Sequence, residues 1–268
     1  MILSDYHVHT NYTDGSNSPE EMVLRAVDLG MKSLGFSEHA YVSFDPDCRL
    51  DLDQIGLYKR EIKRLKEKYA GQIEILCGIE MDYDSQDDPY DYDYVIGSVH
   101  YLDVGGERYS VDVSPEETRI CVNRLFGGDY DSYAEAYYEK VAALCEKWPV
   151  NIIGHFDLIR KYEISGACPD ASSIRYRLAW QDAVKAICSK GSFEINTGAV
   201  ARGYRKMPYP EPAILERLKA LGGSVVISGD CHSKEALTAG FDVAQILAKE
   251  AGFGQLGFTD MAGNFHGQ

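Results

Sequence analysis

The sequence predicts one closed α/β barrel of seven strand–helix units. Short apolar runs alternate with longer stretches of helical period, the order typical of a parallel sheet with right-handed crossovers. The length of 268 residues suits one such barrel better than two domains, so we expect a single domain over residues 1–268. Six of the seven histidines lie beside carboxylates near the ends of these runs, where barrels of this kind carry their active sites.

Each predicted element has a local signal. The predicted strands span 2–7, 33–37, 73–79, 94–98, 150–155, 192–195 and 224–228. The predicted helices span 19–29, 52–69, 133–148, 172–189, 210–221 and 234–250. Pro19 after Ser18 is typical of a capped first helical turn. In the second helix, Ile62 and Leu65 recur three residues apart among charges, which indicates an amphipathic surface helix.

The histidines predict a metal site with several ions. His7 and His9 end the first apolar run, and because side chains alternate along a strand, both imidazoles point to the same spot. The other histidines also follow predicted strands, and nearby carboxylates complete the set of candidate ligands: His7, His9, Asp14, His39, Glu80, His100, His155, Asp230 and His232. Nine ligands are far more than one tetrahedral zinc can use. We therefore expect two or three metal ions.

Several motifs, in order along the chain, carry a family resemblance. DYHVHT, SEHA, GIEMDYD, YDYDYVIGSVH, GHFDLIRKY, EINT and SGDCH lie between residues 5 and 232. They resemble the motifs of the polymerase and histidinol phosphatase (PHP) family, and most of all those of its bacterial histidinol-phosphate phosphatases. The resemblance implies a distorted seven-stranded barrel, similar to a TIM barrel, with a trinuclear metal centre.

The resemblance also implies how the ligands are shared. The first metal would be held by His7, His9, Glu80 and Asp230, the second by Glu80, His100 and His155, and the third by Asp14, His39 and His232. Glu80 would bridge two of the ions, since a carboxylate offers two oxygens. Histidine and carboxylate ligands without thiolates suit zinc, manganese or iron.

The activity implied by the resemblance is hydrolysis of L-histidinol phosphate to L-histidinol and inorganic phosphate, in histidine biosynthesis. Two metals can lower the pKa of a shared water, and we expect the resulting bridging hydroxide to attack phosphorus. Glu80 and Asp230 are the predicted catalytic residues, and Asp230 is also a candidate proton donor to the leaving oxygen. The main alternatives are a phosphotyrosine-protein phosphatase, a nuclease or another phosphoesterase on the same scaffold, and a non-enzymatic metal-binding domain.

Two arginines are candidate ligands of the phosphate group. Arg160 lies five residues after His155, and Arg202 follows the EINT motif. A planar guanidinium suits phosphate oxygens better than a point charge does. The alternative is that both are ordinary surface arginines. For the rest of the substrate, Asp84, Asp87, Tyr83 and Tyr101 are candidates by their position after predicted strands.

Charge favours a small phosphate ester over a nucleic acid. The chain has 27 basic and 42 acidic residues, a formal net charge of −15, which disfavours binding to nucleic acids and anionic membranes. Three divalent metals would reverse the local charge at the site itself. The sequence does not indicate whether the protein is a monomer or an oligomer.

The cysteines and the chain start predict a cytoplasmic protein. Seven cysteines without C-x-x-C pairing indicate reduced thiols, and we interpret Cys231 as structural. The metal motif begins at residue 5, so we expect no cleaved signal peptide, and no stretch reaches the roughly 18 apolar residues of a membrane span. The long segment 103–131 is a candidate lid or specificity loop.

Overall fold

The fold is a seven-stranded parallel barrel, as the sequence predicts. The computed structural model describes residues 4–46, 49–254, 258–259 and 265–266. The barrel strands, in spatial order, are β1 (Ser4–Asp5), β2 (Ser33–His39), β3 (Glu74–Asp82), β4 (Tyr94–Ser98), β7 (Ile152–Ile153), β8 (Ser192–Asn196) and β9 (Val225–Ser228). A hairpin of β5 (Tyr101–Val104) and β6 (Glu107–Ser110) follows β4, and β10 (Phe258–Thr259) pairs with β11 (Phe265–His266).

The barrel closes between the segments that follow its first and last strands. Val8 pairs with Cys231 in an isolated parallel bridge. The His9 N–H donates to the Cys231 carbonyl at 2.9 Å, and the Cys231 N–H donates to the His7 carbonyl at 3.0 Å. Closure therefore occurs where the His-x-His motif meets the Asp230 to His232 motif.

Helices surround the barrel and mostly match the predicted stretches. They are α1 (Pro19–Asp28), α2 (Ile55–Lys68), α3 (Pro115–Phe126), α4 (Tyr130–Lys147), α5 (Ile174–Ile187), α6 (Gly198–Ala201), α7 (Pro212–Ala220) and α8 (Phe241–Glu250). The helix cap predicted at Ser18 is present, and Ser18 and Glu21 bond reciprocally in a capping box. Among the described residues, no helix is both long and apolar enough to span a bilayer.

The structure departs from the predicted helices in two places. The stretch 234–250 is not one helix, because Gly240 has φ +76° and separates a short 3₁₀ turn at Lys234–Ala236 from α8. The segment 103–131, the candidate lid or specificity loop, contains most of the β5–β6 hairpin and all of α3, a helix that was not predicted. The start of α3 had a readable signal, because Ser114 caps the helix and Pro115 occupies its first turn.

The side chain of Tyr94 lies in a small buried cluster near the amino-terminal ends of the barrel strands. Tyr94 begins β4, is buried, and donates from its hydroxyl to the Tyr6 carbonyl at 2.6 Å, with the Phe36 carbonyl at 3.0 Å. A Cβ on Gly78 would lie 2.2 Å from the Tyr94 ring, and one on Gly35 would lie 2.4 Å from its hydroxyl. Glycine is thus required in two neighbouring strands for the tyrosine to fit.

Gly78→Ala should destabilise the protein by about 1–3 kcal/mol, the usual cost of overpacking a core. Gly56→Ala is a matched control, because Gly56 lies in α2 and its added Cβ would meet only the flexible end of Arg60, at 3.2 Å. That control should be neutral or stabilising, since alanine favours helices. Urea unfolding measures both variants, and equal stability would contradict the packing argument.

Candidate metal centre

The nine predicted metal ligands lie together at the carboxyl ends of the barrel strands. Each comes from a strand end or the loop after it, and together they form four overlapping groups: His7, His9 and Asp230; His7, Glu80 and His155; His39, Glu80 and His100; and His9, Asp14, His39 and His232. Within each group, one ligand atom per residue lies within 4.8 Å of the others. Parallel strands bring these chain-distant residues to one end of the barrel.

Glu80 in β3 is the centre of the cluster. Its Oε2 lies 2.9 Å from His39 Nδ1, 3.4 Å from His7 Nε2 and 3.6 Å from His9 Nε2. Its side chain is fully buried. One carboxylate oxygen therefore faces imidazoles from two different strand ends.

The other Glu80 oxygen faces a second set of histidines. Oε1 lies 3.1 Å from His155 Nε2 and 3.5 Å from His100 Nε2, and it accepts a hydrogen bond from Ser98 Oγ at 2.6 Å. The two oxygens thus divide the histidines between them, which is the geometry required of a bridging carboxylate.

Asp14 lies close to three histidines at the solvent side of the cluster. Its Oδ2 lies 3.0 Å from His232 Nε2 and 3.7 Å from His39 Nε2, while its Oδ1 lies 3.7 Å from His9 Nδ1. The Asp14 side chain is 32% exposed, whereas those of His9 and Glu80 are fully buried. A metal at this group would be the one nearest to solvent.

The donor atoms of the cluster fit divalent metal ions. Several buried atoms have no hydrogen-bond partner among the described residues: His7 Nε2, both ring nitrogens of His9, Glu80 Oε2 and His155 Nδ1. Buried polar atoms left unpaired are costly. Imidazole nitrogens and carboxylate oxygens that converge without protein partners are what zinc, manganese or iron would bind.

The electrostatics keep two ligands in the forms that metals bind. Burial raises the pKa of Glu80, yet the nearby His7, His39 and His100 hold it well below its usual value, so this carboxylate stays ionised. Burial, together with the neighbouring imidazoles, lowers the pKa of His9 well below its usual value. A neutral imidazole and an ionised carboxylate both offer lone pairs to a cation.

His7 differs from His9 because carboxylates surround it. Burial lowers its pKa, but Glu194, Glu80 and Asp230 together raise it well above the usual value. A metal ion at Nε2 would replace the proton there and satisfy the same carboxylates. Glu194 is the first residue of the EINT motif. The motif therefore marked this residue in the sequence, but no role was predicted for it.

Asp230 has a backbone conformation that L-residues rarely adopt, with φ +46°. Its Oδ2 accepts from Arg202 Nη2 at 3.0 Å, and its carbonyl accepts from Arg202 Nη1 at 2.8 Å. Although burial raises the pKa of Asp230, Arg202 and His7 hold it well below its usual value. This direction favours a permanently ionised ligand over a proton donor.

The two predicted arginines have different surroundings. Arg202 lines the main cavity of the cluster, beside His232. Arg160 is not part of the cavity wall; its Nε lies 2.8 Å from Glu211 Oε1, and its Nη2 lies 3.5 Å from Glu163 Oε2. Because Arg160 lies outside the cavity wall, its position does not support a role in phosphate binding.

Lys161 lies in the wall of the cavity, although the sequence predicted no role for it. It donates from Nζ to the carbonyl of Asp112 at 2.8 Å and to its Oδ2 at 3.0 Å. Lys161 directly follows Arg160 in the GHFDLIRKY motif, so this motif could have indicated it as a candidate phosphate ligand. The two residues lie at the end of a short 3₁₀ turn, Leu158–Arg160, and contact different carboxylates, Glu211 and Asp112.

The cavity beside the cluster has a volume of about 270 Å³. Ser110, Asp112 and Val113 come from segment 103–131, so that segment forms a wall of the cavity. Of the four candidates for contacts to the rest of the substrate, only Tyr101 lines this cavity. Its hydroxyl donates to Asp45, which also lines it.

Cys231, between two candidate ligands, has a structural environment. It is buried, its Sγ donates to the Ser233 carbonyl at 2.8 Å, and burial raises the pKa of its thiol. A thiol held in its neutral form is a poor nucleophile. Cys48 lies outside the described residues.

Comparison with known proteins places this geometry in a family. The PHP domain model matches residues 5–198. A Schizosaccharomyces pombe protein named "Probable histidinol-phosphatase" is 28% identical over 88% of this chain and 82% of its own length. The histidinol-phosphatase of Bacillus subtilis is 26% identical over 87% of this chain and 94% of its own.

Solved structures show the same fold. A Listeria monocytogenes protein superposes with a TM-score of 0.77 at 22% identity, over 89% of this chain and 98% of its own. The Lactococcus lactis histidinol phosphate phosphatase, solved with zinc, L-histidinol and phosphate, gives a TM-score of 0.68 at 24% identity, over 93% and 94% of the two chains. Because the PHP domain model covers most of its length, this chain belongs to the PHP domain family.

Proposed function

We propose that this chain is a metal-dependent phosphomonoesterase that hydrolyses L-histidinol phosphate to L-histidinol and inorganic phosphate, as a step of histidine biosynthesis. The observation that carries the proposal is the ligand cluster around Glu80, which opens into a cavity of about 270 Å³. The substrate follows from the relatives, because the Bacillus subtilis protein is a histidinol-phosphatase and the Lactococcus lactis structure holds L-histidinol and phosphate.

The proposed centre holds three divalent ions of zinc, manganese or iron. The ligand sets that we propose are His7, His9, Glu80 and Asp230; Glu80, His100 and His155; and Asp14, His39 and His232. The observed groups overlap these sets, with His9 and His39 each within reach of two groups. Bound metals supply positive charge that acidifies water and stabilises a phosphoryl transition state.

The residues of this chain hold and orient the ester. Arg202 and Lys161 line the cavity and supply fixed positive charge for phosphate oxygens. Asp45 and Asp112 line it together with the rings of Tyr101 and Tyr204. Carboxylates and aromatic faces suit the ammonium and imidazole groups of histidinol. We expect phosphate to bind beside the metal ligands, and the cationic part of the ester to contact these carboxylates and rings.

The size of the cavity favours a small ester over a protein or nucleic acid. Its volume lies near the lower end of small-molecule pockets, which are about 300–1,000 Å³. The net charge of −15 also disfavours a nucleic-acid substrate.

We further propose that residues 1–268 form a single domain. We also propose that the protein is cytoplasmic, because all six described cysteines are free thiols.

The proposed activity is tested by phosphate release from L-histidinol phosphate, a phosphotyrosine peptide and a simple aryl phosphate. We expect kcat/KM for histidinol phosphate to exceed the others by about 10³, equivalent to about 4 kcal/mol of discrimination. Stripping the metals with a chelator should abolish the activity, and adding zinc or manganese should restore it. A preference for the aryl or peptide ester would contradict the biosynthetic role.

Glu80→Gln should lower kcat by several orders of magnitude, because an amide cannot bridge two cations as a carboxylate does. Far-UV circular dichroism should show a folded protein. Glu74→Gln is the matched control, since Glu74 begins the same strand but is exposed, and it should keep normal activity. Substantial activity in the Glu80 variant would exclude the bridging role.

Arg202→Ala should raise KM and weaken inhibition by phosphate about tenfold or more, as expected for a hydrogen bond to a charged group worth about 1.5–3 kcal/mol. Arg160→Ala is the comparison, because it removes a similar charge, also paired with a carboxylate, that lies outside the cavity wall. It should lower the melting temperature with a smaller effect on KM. An equal rise in KM for both variants would mean that Arg160 also reaches the substrate.

A further inference from the structure

We infer that Glu194 is a positioning residue that fixes the ring of His7 and the backbone of His155, and thereby presents His7 Nε2 to a metal ion. The inference concerns the metal site and rests on the proposed role of His7 as a ligand. Glu194 lies in β8, faces the barrel interior and is fully buried. It is not among the nine candidate ligands.

The first contact sets which nitrogen of His7 is available. Glu194 Oε2 lies 2.8 Å from His7 Nδ1, with both side chains fully buried. The other ring nitrogen, Nε2, lies 3.4 Å from Glu80 and 3.8 Å from Asp230. A carboxylate can only accept a hydrogen bond, so Nδ1 must carry the proton. In the neutral ring, Nε2 then offers its lone pair toward the cluster.

The second contact links His7 to a ligand from another strand. Glu194 Oε1 accepts a hydrogen bond from the backbone N–H of His155, which follows β7. His155 Nδ1 has no hydrogen-bond partner among the described residues. Glu194 therefore positions His155 through its backbone and His7 through its ring. His7 and His155 are proposed ligands of different metals, so one carboxylate sets the spacing of two sites.

The two oxygens of Glu194 accept four hydrogen bonds, and the His155 N–H and the Asn196 NH₂ group can only donate. Asn196 Nδ2 donates to Oε1 at 2.8 Å, and Ser228 Oγ donates to Oε2 at 2.6 Å. Together with His7 and His155, each carboxylate oxygen thus receives two hydrogen bonds. An amide provides one accepting oxygen and one donating NH₂ group, so it cannot satisfy both sides.

Glutamine at this position therefore has two unfavourable orientations. If its NH₂ faces the His155 N–H, two donors oppose each other in a buried site, which costs the desolvation of both. If its NH₂ faces His7, Nδ1 must become the acceptor, and the proton moves to Nε2, where it blocks metal binding. Both orientations disturb a proposed ligand while the volume of the side chain is kept.

Asp82 makes the analogous contacts to a different histidine. Its Oδ2 accepts from the backbone N–H of His100 at 2.7 Å and lies 3.3 Å from His100 Nδ1. Both contacts of Asp82 are to His100, whereas Glu194 contacts the ring of one histidine, His7, and the backbone of another, His155. Orientation of ligating histidines by a carboxylate is a general device in metal sites, and here Glu194 connects two strands through it.

The test is the zinc affinity and stoichiometry of Glu194→Gln, measured by competition with a chromophoric chelator. We expect zinc to bind about 10- to 100-fold more weakly, the usual effect of losing a carboxylate that orients a ligand, in a protein that keeps its far-UV circular dichroism. Ser228→Ala is the matched control, because it removes one buried hydrogen bond to Glu194 but leaves the carboxylate on His7. It should keep zinc affinity near that of the wild type.

His7→Gln separates this inference from the ligand assignment. If His7→Gln loses zinc and Glu194→Gln does not, the positioning role is overturned. If neither variant loses zinc, the assignment of His7 as a ligand has failed. Should Glu194→Gln not fold, long-range ¹H–¹⁵N spectra of the zinc-loaded wild type decide the question, with the His7 signals identified by their loss in His7→Gln. We expect a proton on Nδ1 of His7, and a proton on Nε2 would overturn the inference.

Discussion

Closure of the barrel beside Val8 and Cys231 is the constraint on which the site depends. The two backbone hydrogen bonds there join the residues that flank His7 and His9 to the segment between Asp230 and His232. The first and last ligand motifs are separated by more than two hundred positions in the chain, and only closure of the sheet brings them together. The site therefore forms only when the barrel does, so its assembly is linked to folding of the whole domain.

The cluster concentrates imidazoles and carboxylates in a largely buried volume, and neighbouring groups stabilise their charges. Glu80 separates two sets of histidines, Arg202 neutralises part of Asp230, and Glu194 satisfies His7 from outside. Burial alone would favour neutral carboxyl groups. The opposing charges instead keep Glu80 and Asp230 ionised, which is the state required of metal ligands.

The cavity shows how neighbouring residues acquire different roles. Arg160 and Lys161 are adjacent and equally charged, but Arg160 contacts Glu211 and Glu163, while Lys161 lines the cavity with Asp112. Likewise, the segment after β4 supplies a wall of the cavity through Ser110 and Asp112. This wall of the cavity therefore depends on a segment outside the seven barrel strands, whereas the candidate metal ligands lie at strand ends or directly after them.

The sequence by itself determined the barrel class, most of its strands and helices, and the nine residues that the structure brings together. These features are local: strand and helix periodicity, helix caps, and histidines at strand ends can all be read within a few residues. Tertiary structure alone decided the different environments of Arg160 and Lys161 and the contacts of Glu194. Those depend on which distant groups lie opposite a side chain, and no short stretch of sequence contains that information.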